Sequence, residues 1–367
     1  MIDKLKLLKN IYFNKNPISL ILFLTNRCNA RCPFCFIDFD NEAAQNKNNE
    51  LSANNYLSIA KNLNNSLTHL NITGGEPFLR SDLGEIIENF INYCNLNSII
   101  FSTNGSYPKK ISSFIENVSK KYKNTKFLFQ FSIDSFPKNH DKIRKIPGLF
   151  DKTLESHNLV KNSFRNCIAT CNLTVSENNC DQIEKIYHFL TGECKIETIN
   201  PIIVRDEGVY KIPNSIKEKI LNAYKTLTNL ILEDVKRKKI RGFSNFFLEG
   251  KILNSKNEIS YDMTINSYIK PKFYTPCVAG KIFGVIKSNG DVFPCELLDE
   301  TKIMGNIKNY NFDFLKLWLT KKSDGIREWI KDTKCNCHWE CIYTYNLISN
   351  KKYLSKILTK VLSNRLN

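Results

Sequence analysis

What this sequence lacks narrows its class before any motif is read. In 367 residues no apolar run approaches the roughly 20 residues that a bilayer-spanning helix needs. The opening MIDKLKLLKNIYF has no small-residue cleavage site after its apolar stretch, so no secretory signal is expected. Acidic residues are scarce: 36 Asp and Glu stand against 53 Lys and Arg, a net charge of +17. Such a balance would suit nucleic acid, anionic lipid or a phosphorylated substrate. Yet lysine is spread along the whole chain beside abundant asparagine, and no nucleic-acid motif or basic stretch interleaved with aromatics occurs. Nucleic acid is therefore not expected as a partner. With no export signal, the thirteen cysteines read as metal-binding or catalytic rather than as a disulfide framework, and a cytoplasmic location is expected.

The remaining composition, 42% hydrophobic and 24% charged, is that of an ordinary globular protein, with room for one large domain and a smaller one. From Ser19 onward short β-rich runs alternate with amphipathic helical runs, which predicts repeated βα units. Strands are expected at Ser19–Thr25, His69–Thr73, Ser98–Ser102, Phe127–Ile133, Cys167–Val175 and Ile196–Val204. Helices are expected at Ser52–Leu63, Asp82–Cys94, Ile111–Tyr122, Lys152–Phe164 and Asp181–Leu190, with Ser52, Ser81 and Asp151 at N-cap positions. The fold class is α/β: six strands with helical crossovers, most of a TIM-like barrel left partly open. Catalytic groups then belong at the carboxyl ends of the strands.

Those ends carry the informative residues. The first strand runs into TNRCNARCPFCF, with Cys28, Cys32 and Cys35 three and then two residues apart. Three close thiolates suit a [4Fe-4S] cube that takes protein ligands on three irons and keeps the fourth open. Zinc is the competing reading, but no nearby Cys or His completes a tetrahedron. The second strand ends in Gly74-Gly75-Glu76-Pro77, where paired glycines permit a close backbone approach and the carboxylate can accept from an ammonium group. The third ends in Thr103-Asn104-Gly105, a polar end suited to a ribose, and the fifth carries Asn172.

Together these segments resemble the radical S-adenosylmethionine (SAM) enzymes. The resemblance implies that the open iron takes the amino and carboxylate groups of SAM, and that Phe34 lies near the adenine. It also implies that Gly74, Gly75 and Glu76 bind the amino group. Ser132 of Phe131-Ser132-Ile133-Asp134 and Arg144 of His140-Asp141-Lys142-Ile143-Arg144 would hold the carboxylate, for which a guanidinium fork is well shaped. Asn172, with Thr103 and Asn104, would face the ribose, and Asn200-Pro201-Ile202 the adenine. His140 is expected to be structural, bonded to backbone.

Beyond Pro213–Lys239, read as one helix, the stretch from Phe243 to Lys272 gives no clear pattern. Cys277 and Cys295 then bracket a hairpin turning at Asn289-Gly290, and KCNCHWEC supplies Cys335, Cys337 and Cys341. Four thiolates could hold a second [4Fe-4S] cluster, with tetrahedral zinc as the alternative. This segment resembles the SPASM extension of radical SAM enzymes, or its shorter twitch form. Five cysteines fall short of the two clusters of a full SPASM domain, which points to one auxiliary cluster. Its expected ligands are Cys277, Cys295, Cys337 and Cys341, with Cys335 spare. Cys94, Cys167, Cys171, Cys180 and Cys194 read as core.

The expected domains are an N-terminal extension 1–17, the partial barrel 18–212, a helical connector 213–272, the auxiliary-cluster domain 273–345 (a hairpin plus helix) and a basic amphipathic helix 346–367. That last helix could lie on an anionic membrane or cover a core edge. The resemblance implies SAM cleavage to a 5′-deoxyadenosyl radical that removes hydrogen from a substrate, with electrons from a flavodoxin or ferredoxin. The auxiliary cluster would carry electrons for an oxidation or an epimerisation. The substrate expected is a small polar metabolite, such as a sugar, cyclitol or nucleotide-linked sugar, phosphorylated to suit the basic charge. Peptide maturation is the alternative, less expected because about seventeen residues before the first strand are too few for a peptide-binding domain; an iron–sulfur electron carrier is the non-enzymatic one. Asp206, Glu207 and His338 are acid–base candidates by position alone.

Overall fold

In a computed structural model, residues 11–12, 15–63, 66–242 and 247–363 are described. Most of the expected N-terminal extension, part of the stretch after Phe243 and the last four residues of the C-terminal helix lie outside them. β1 (Ser19–Thr25) is apolar along nearly its whole length and buried at every position, as a strand covered on both faces must be. It is followed by β2 (His69–Gly74), β3 (Ser98–Thr103), β4 (Lys126–Ser132), β5 (Cys167–Val175) and β6 (Ile199–Ile203). Each pairs in parallel with the next. Helices α1 (Glu42–Gln45) and α2 (Ala53–Lys61) separate β1 from β2, and α3 (Leu83–Tyr93) and α4 (Pro108–Phe114) form the next two crossovers. α5 (Pro137–Arg144) and α6 (Leu149–Lys161) lie between β4 and β5, and α7 (Ile183–Gly192) between β5 and β6.

The alternation of β4 separates the two faces of the sheet. Phe127, Phe129 and Phe131 are fully buried, and Phe129 stacks 5.0 Å from Phe101 and meets Phe114 of α4 at 6.1 Å. That face is the helix-covered one, so Leu128, Gln130 and Ser132 point into the barrel lumen, where they keep partial exposure.

The strands and N-cap Ser52 follow the sequence reading; four helical details do not. α6 begins at Leu149, after Gly148 in the left-handed region (φ 68°), so Asp151 lies inside the first turn rather than capping it. α3 starts after Asp82, not Ser81. Pro108 at the first helical position starts α4 earlier than Ile111, as its fixed φ favours. The unreadable stretch is largely α9 (Phe247–Tyr268); its apolar residues are scattered around the helix and mark no single face. It follows α8 (Asn214–Lys236), which matches the expected long helix.

The C-terminal hairpin, β7 (Phe283–Ile286) and β8 (Asp291–Phe293), is antiparallel as predicted. It does not stand apart: β7 pairs in parallel with β1, giving one nine-stranded sheet in the order β6-β5-β4-β3-β2-β1-β7-β8-β9, where β9 is Gly305–Asn306. After α10 (Phe314–Trp318) and α11 (Lys321–Asp332), α12 (Glu340–Ser349) links the first and sixth strands. Its Glu340 Oε1 accepts from Ile203 N of β6 at 3.2 Å, and its Tyr345 hydroxyl donates to Ser19 Oγ of β1 at 2.7 Å. On α13 (Lys351–Ser363), Ile357 and Val361 are buried while Leu358 and Leu362 are exposed, and Lys360 pairs with Glu258 of α9. This helix covers a core edge.

Candidate functional site

The loop after β1 is tied down before its first cysteine. Glu50 is nearly buried and accepts from Thr25 Oγ1 and Arg27 Nε, the latter at 3.0 Å. Arg80 Nη1 donates to Leu24 O at 2.9 Å and its other nitrogens pair with Asp82. From the second strand, Gly75 N donates to Thr25 O at 2.7 Å and Glu76 N to Arg27 O at 3.0 Å. A Cβ on Gly75 would lie 1.9 Å from Arg27 O, and one on Gly74, at φ +113°, 2.2 Å from Thr25 O. The paired glycines thus bring the second strand end against the cysteine loop itself.

Two further elements meet that loop. Arg31 N donates to Arg144 O at 3.1 Å, docking the end of α5. Asn104 Nδ2 lies 3.8 Å from Cys28 Sγ and donates to Asn29 Oδ1 at 2.9 Å. Glu76 is buried and accepts from Phe78 N (3.0 Å), Thr103 Oγ1 (2.8 Å) and Asn104 N (2.8 Å). Desolvation raises its pKa against these bonds. Two of the three donors are on Oε1 and one on Oε2, so the carboxylate locks β2 to β3 and keeps acceptor capacity on Oε2.

Arg144 is buried and gives Nε and Nη2 to Asp134 Oδ2, each at 2.7 Å, and the Cys32 and Cys28 thiols lie in its field. Asp134 is the partner that the sequence reading did not single out, although it stands in the quoted Ser-Ile-Asp segment. Ser132 pairs with Asn172 across β4 and β5. Asn172 belongs to an amide ladder along the lumen: its Nδ2 reaches Gln130 at 3.5 Å and its Oδ1 accepts from Asn200 at 3.0 Å. Phe34 packs on the core of the β5–β6 side. His140 accepts from Asp134 N at 3.2 Å through Nδ1, the backbone bond expected of it.

Burial pushes the Cys28 thiol up to about 12, with the Glu76 charge adding to it. The thiols of Cys32 and Cys35 are raised by burial too, and Arg144 pulls both back. Coordination to iron would deprotonate them outright.

A second thiol group lies in the C-terminal part. Cys277, Cys295, Cys335 and Cys337 line one cavity of about 180 Å³ with Glu207, Tyr274, Ile342 and Tyr343. Cys341 does not line it. Its thiol has instead the charges of Glu296, Glu340, Arg205 and Lys256 around it. The cavity therefore joins Cys335 to the set and leaves out Cys341, the reverse of the expected ligand choice. The reason is helical: α12 begins at Glu340, and its first turn carries Cys341 away from Cys337. Among the described residues no three His, Cys, Asp or Glu side chains are close enough to hold a single metal ion. A cube bonds each thiolate to a different iron, so its sulfurs need not meet at one point, and both thiol groups fit such a cluster.

Between the two groups runs a wall of rings and cations that the sequence reading missed. Lys287 Nζ sits 3.8 Å from the Phe23 ring centroid, and Phe23 meets Phe36 edge-on at 5.8 Å. The Arg205 guanidinium lies 4.9 Å from Phe36 and 5.8 Å from Trp339, and its Nη1 pairs with Glu296 at 2.5 Å. The one available signal was position, since Arg205 follows the sixth strand. Of its neighbours, Asp206 pairs with Lys217 at 2.7 Å, while Glu207 and His338 each keep a buried polar atom without a partner.

An open parallel α/β barrel with three thiols at the carboxyl end of its first strand defines the class. Residues 22–190 match the Radical SAM superfamily, and this segment is a radical SAM domain. The superfamily uses a [4Fe-4S] cluster and SAM. The chain is 28% identical to the GTP 3′,8-cyclase of Thermodesulfovibrio yellowstonii over 47% of this chain and 52% of that one, so it spans about half the length of that relative. An uncharacterized protein of Methanocaldococcus jannaschii is 25% identical over 80% of this chain and 89% of that one. The fold is shared with anSMEcpe with bound AdoMet, at 18% identity and a TM-score of 0.65, over 96% of each chain. The same neighbour with AdoMet and Cp18Cys peptide matches at 18% identity and a TM-score of 0.62, over 95% of this chain and 97% of that one. Among the described residues no helix is long and apolar enough to cross a membrane.

Proposed function

We propose that this chain is a radical SAM enzyme in which Cys28, Cys32 and Cys35 hold the SAM-binding [4Fe-4S] cluster and Cys277, Cys295, Cys335 and Cys337 hold an auxiliary one. When bound, the first cluster with SAM supplies a 5′-deoxyadenosyl radical able to take hydrogen from an unactivated carbon. The observation that carries this reading is the loop of three thiols, locked by Gly75 and Glu76 after the second strand, Asn104 after the third and Arg144 at the end of α5. The protein's own part is placement and exclusion of water. Asn104 orients the Cys28 side of the loop, and the Arg144–Asp134 pair sets the charge beside Cys32. Arg144 keeps Nη1 free of that pair for a carboxylate.

The substrate we favour is a small polar metabolite, and the support is the lumen. Gln130, Asn172 and Asn200 present amides there, groups that match hydroxyls and carbonyls rather than apolar side chains. The auxiliary cluster would carry the electron left on, or needed by, a substrate radical, in an oxidation or an epimerisation. A peptide substrate is the second reading. It is favoured by the anSMEcpe structure with bound peptide, whose length is nearly all covered; a peptide in that protein needs no added domain, which removes the size argument against it. Anaerobic reconstitution with iron, sulfide, SAM and dithionite tests the proposal. 5′-Deoxyadenosine should form and should vanish in Cys32→Ala; a reconstituted chain that yields none refutes it.

A further inference from the structure

Arg205 stands two residues past β6, and the strand end that carries it is clamped on both sides. Glu340 of α12 accepts from Ile203 N at 3.2 Å. On the other side Gly208, at φ +99°, comes so close to the cysteine loop that a Cβ there would lie 3.1 Å from Phe36 O. The Arg205 side chain between these points is mostly enclosed, 16% exposed. A guanidinium stays protonated wherever a protein places it, so the fold keeps a permanent positive charge at this spot.

Three contacts hold that charge, and each lies one or two residues from a thiol. Phe36, whose ring centroid is 4.9 Å from the guanidinium, follows Cys35 of the first site. Glu296, paired with Nη1 at 2.5 Å, follows Cys295 of the second. Trp339, with its ring at 5.8 Å, stands two residues after Cys337 of the second. Contact with two rings fixes a guanidinium in place and orientation. The Cys35 thiol lies in its field. Arg144, by contrast, is held by Asp134 beside the first site.

We infer that Arg205 is a positioning residue shared by the two cluster sites: its charge stabilises the reduced form of both and so sets their reduction potentials together. This rests on the reading of the chain as a radical SAM enzyme with two clusters. A cluster gains a negative charge when it takes up an electron, so an enclosed cation nearby favours the reduced form. Such an enzyme must load one electron onto the first site and pass one to or from the second. A charge held against both eases both uptakes and leaves the step from one to the other little changed. Glu296 acts in the opposite sense. Removing the carboxylate unmasks the cation, and removing the cation unmasks the carboxylate.

The test is a redox titration of the anaerobically reconstituted full chain without SAM, followed by electron paramagnetic resonance, on the unaltered protein, Arg205→Met and Glu296→Gln. The signals of the two clusters are assigned from the Cys32→Ala chain and the Cys335→Ala/Cys337→Ala chain. Arg205→Met should lower both midpoint potentials, and Glu296→Gln should raise both. Each shift should be roughly tenfold in the reduction equilibrium, the order expected of one enclosed charge, or about 59 mV for a one-electron couple. A packing defect would not give opposite signs, since loss of either partner loosens the same contact. Glu207 and Lys287, the other charges nearby, are the same in every sample and cancel from the comparison. Iron content and circular dichroism establish that the variants are folded; should Arg205→Met fail to hold its clusters, the rise in Glu296→Gln still decides. Potentials unmoved in Glu296→Gln, shifts of one sign in both variants, or a shift confined to one cluster overturns the inference. 5′-Deoxyadenosine formation, measured on the same samples after SAM is added, keeps the two questions apart. A chain that cleaves SAM with potentials unmoved sinks the shared charge alone. One whose potentials shift as expected without SAM cleavage sinks the radical chemistry alone, and one that takes up no second cluster sinks both.

Discussion

The assignment of Cys335 rather than Cys341 to the second cluster is open to a reciprocal test. A cube can rest on three thiolates, as the loop after β1 implies, so removing one of four ligands need not release it. Removing two should. Replacing both Cys335 and Cys337 by alanine leaves only Cys277 and Cys295 on the 180 Å³ cavity, whereas replacing Cys337 and Cys341 leaves three thiols there. Two [4Fe-4S] clusters correspond to about eight irons per chain. The Cys335/Cys337 variant should therefore fall to about four, while the Cys337/Cys341 variant should stay well above that. Iron and sulfide analysis after anaerobic reconstitution gives the count, and electron paramagnetic resonance of the reduced protein identifies which cluster remains. Had the spacing alone decided the ligands, the ranking would be inverted, with Cys341 standing in as the third thiol. An inverted ranking would refute the assignment.

Three other outcomes are expected. Gly75→Ala should separate the second strand end from the cysteine loop, since its Cβ would stand 1.9 Å from Arg27 O; a loss of about 3 kcal/mol in urea unfolding and of the SAM-site iron should follow, and unchanged iron would contradict the close approach. Arg205→Met should cost about 3–5 kcal/mol by leaving Glu296 buried and unpaired, with much of it recovered in the Arg205→Met/Glu296→Leu double variant, and thermal unfolding of the set would show whether it is. His157 is lowered by burial from 6.5 to about 4, so between those values the unfolded chain binds more protons and stability falls as pH falls, by up to about 1.4 kcal/mol per pH unit. His157→Gln should flatten that part of the profile, and an identical slope in the variant would count against it.

Local chemistry along the chain determined most of the scaffold by itself. β1 is legible because a strand buried on both faces must be apolar, and the three-thiol loop because its ligands are neighbours in sequence. Spacing could also show that Cys277 and Cys295 bracket a turn. The partners of each group were decided only by the tertiary structure, because the contacts that set them join residues far apart in sequence. Glu76 spends its carboxylate on β3 because Thr103 and Asn104 happen to arrive beside it, and Arg144 meets Asp134 because α5 turns back on β4. Cys341 stays off the cavity of the other four thiols because a helix starts one residue earlier and turns it toward Lys256. α9, with its scattered apolar residues, could not be read at all until α12 and α13 packed against it.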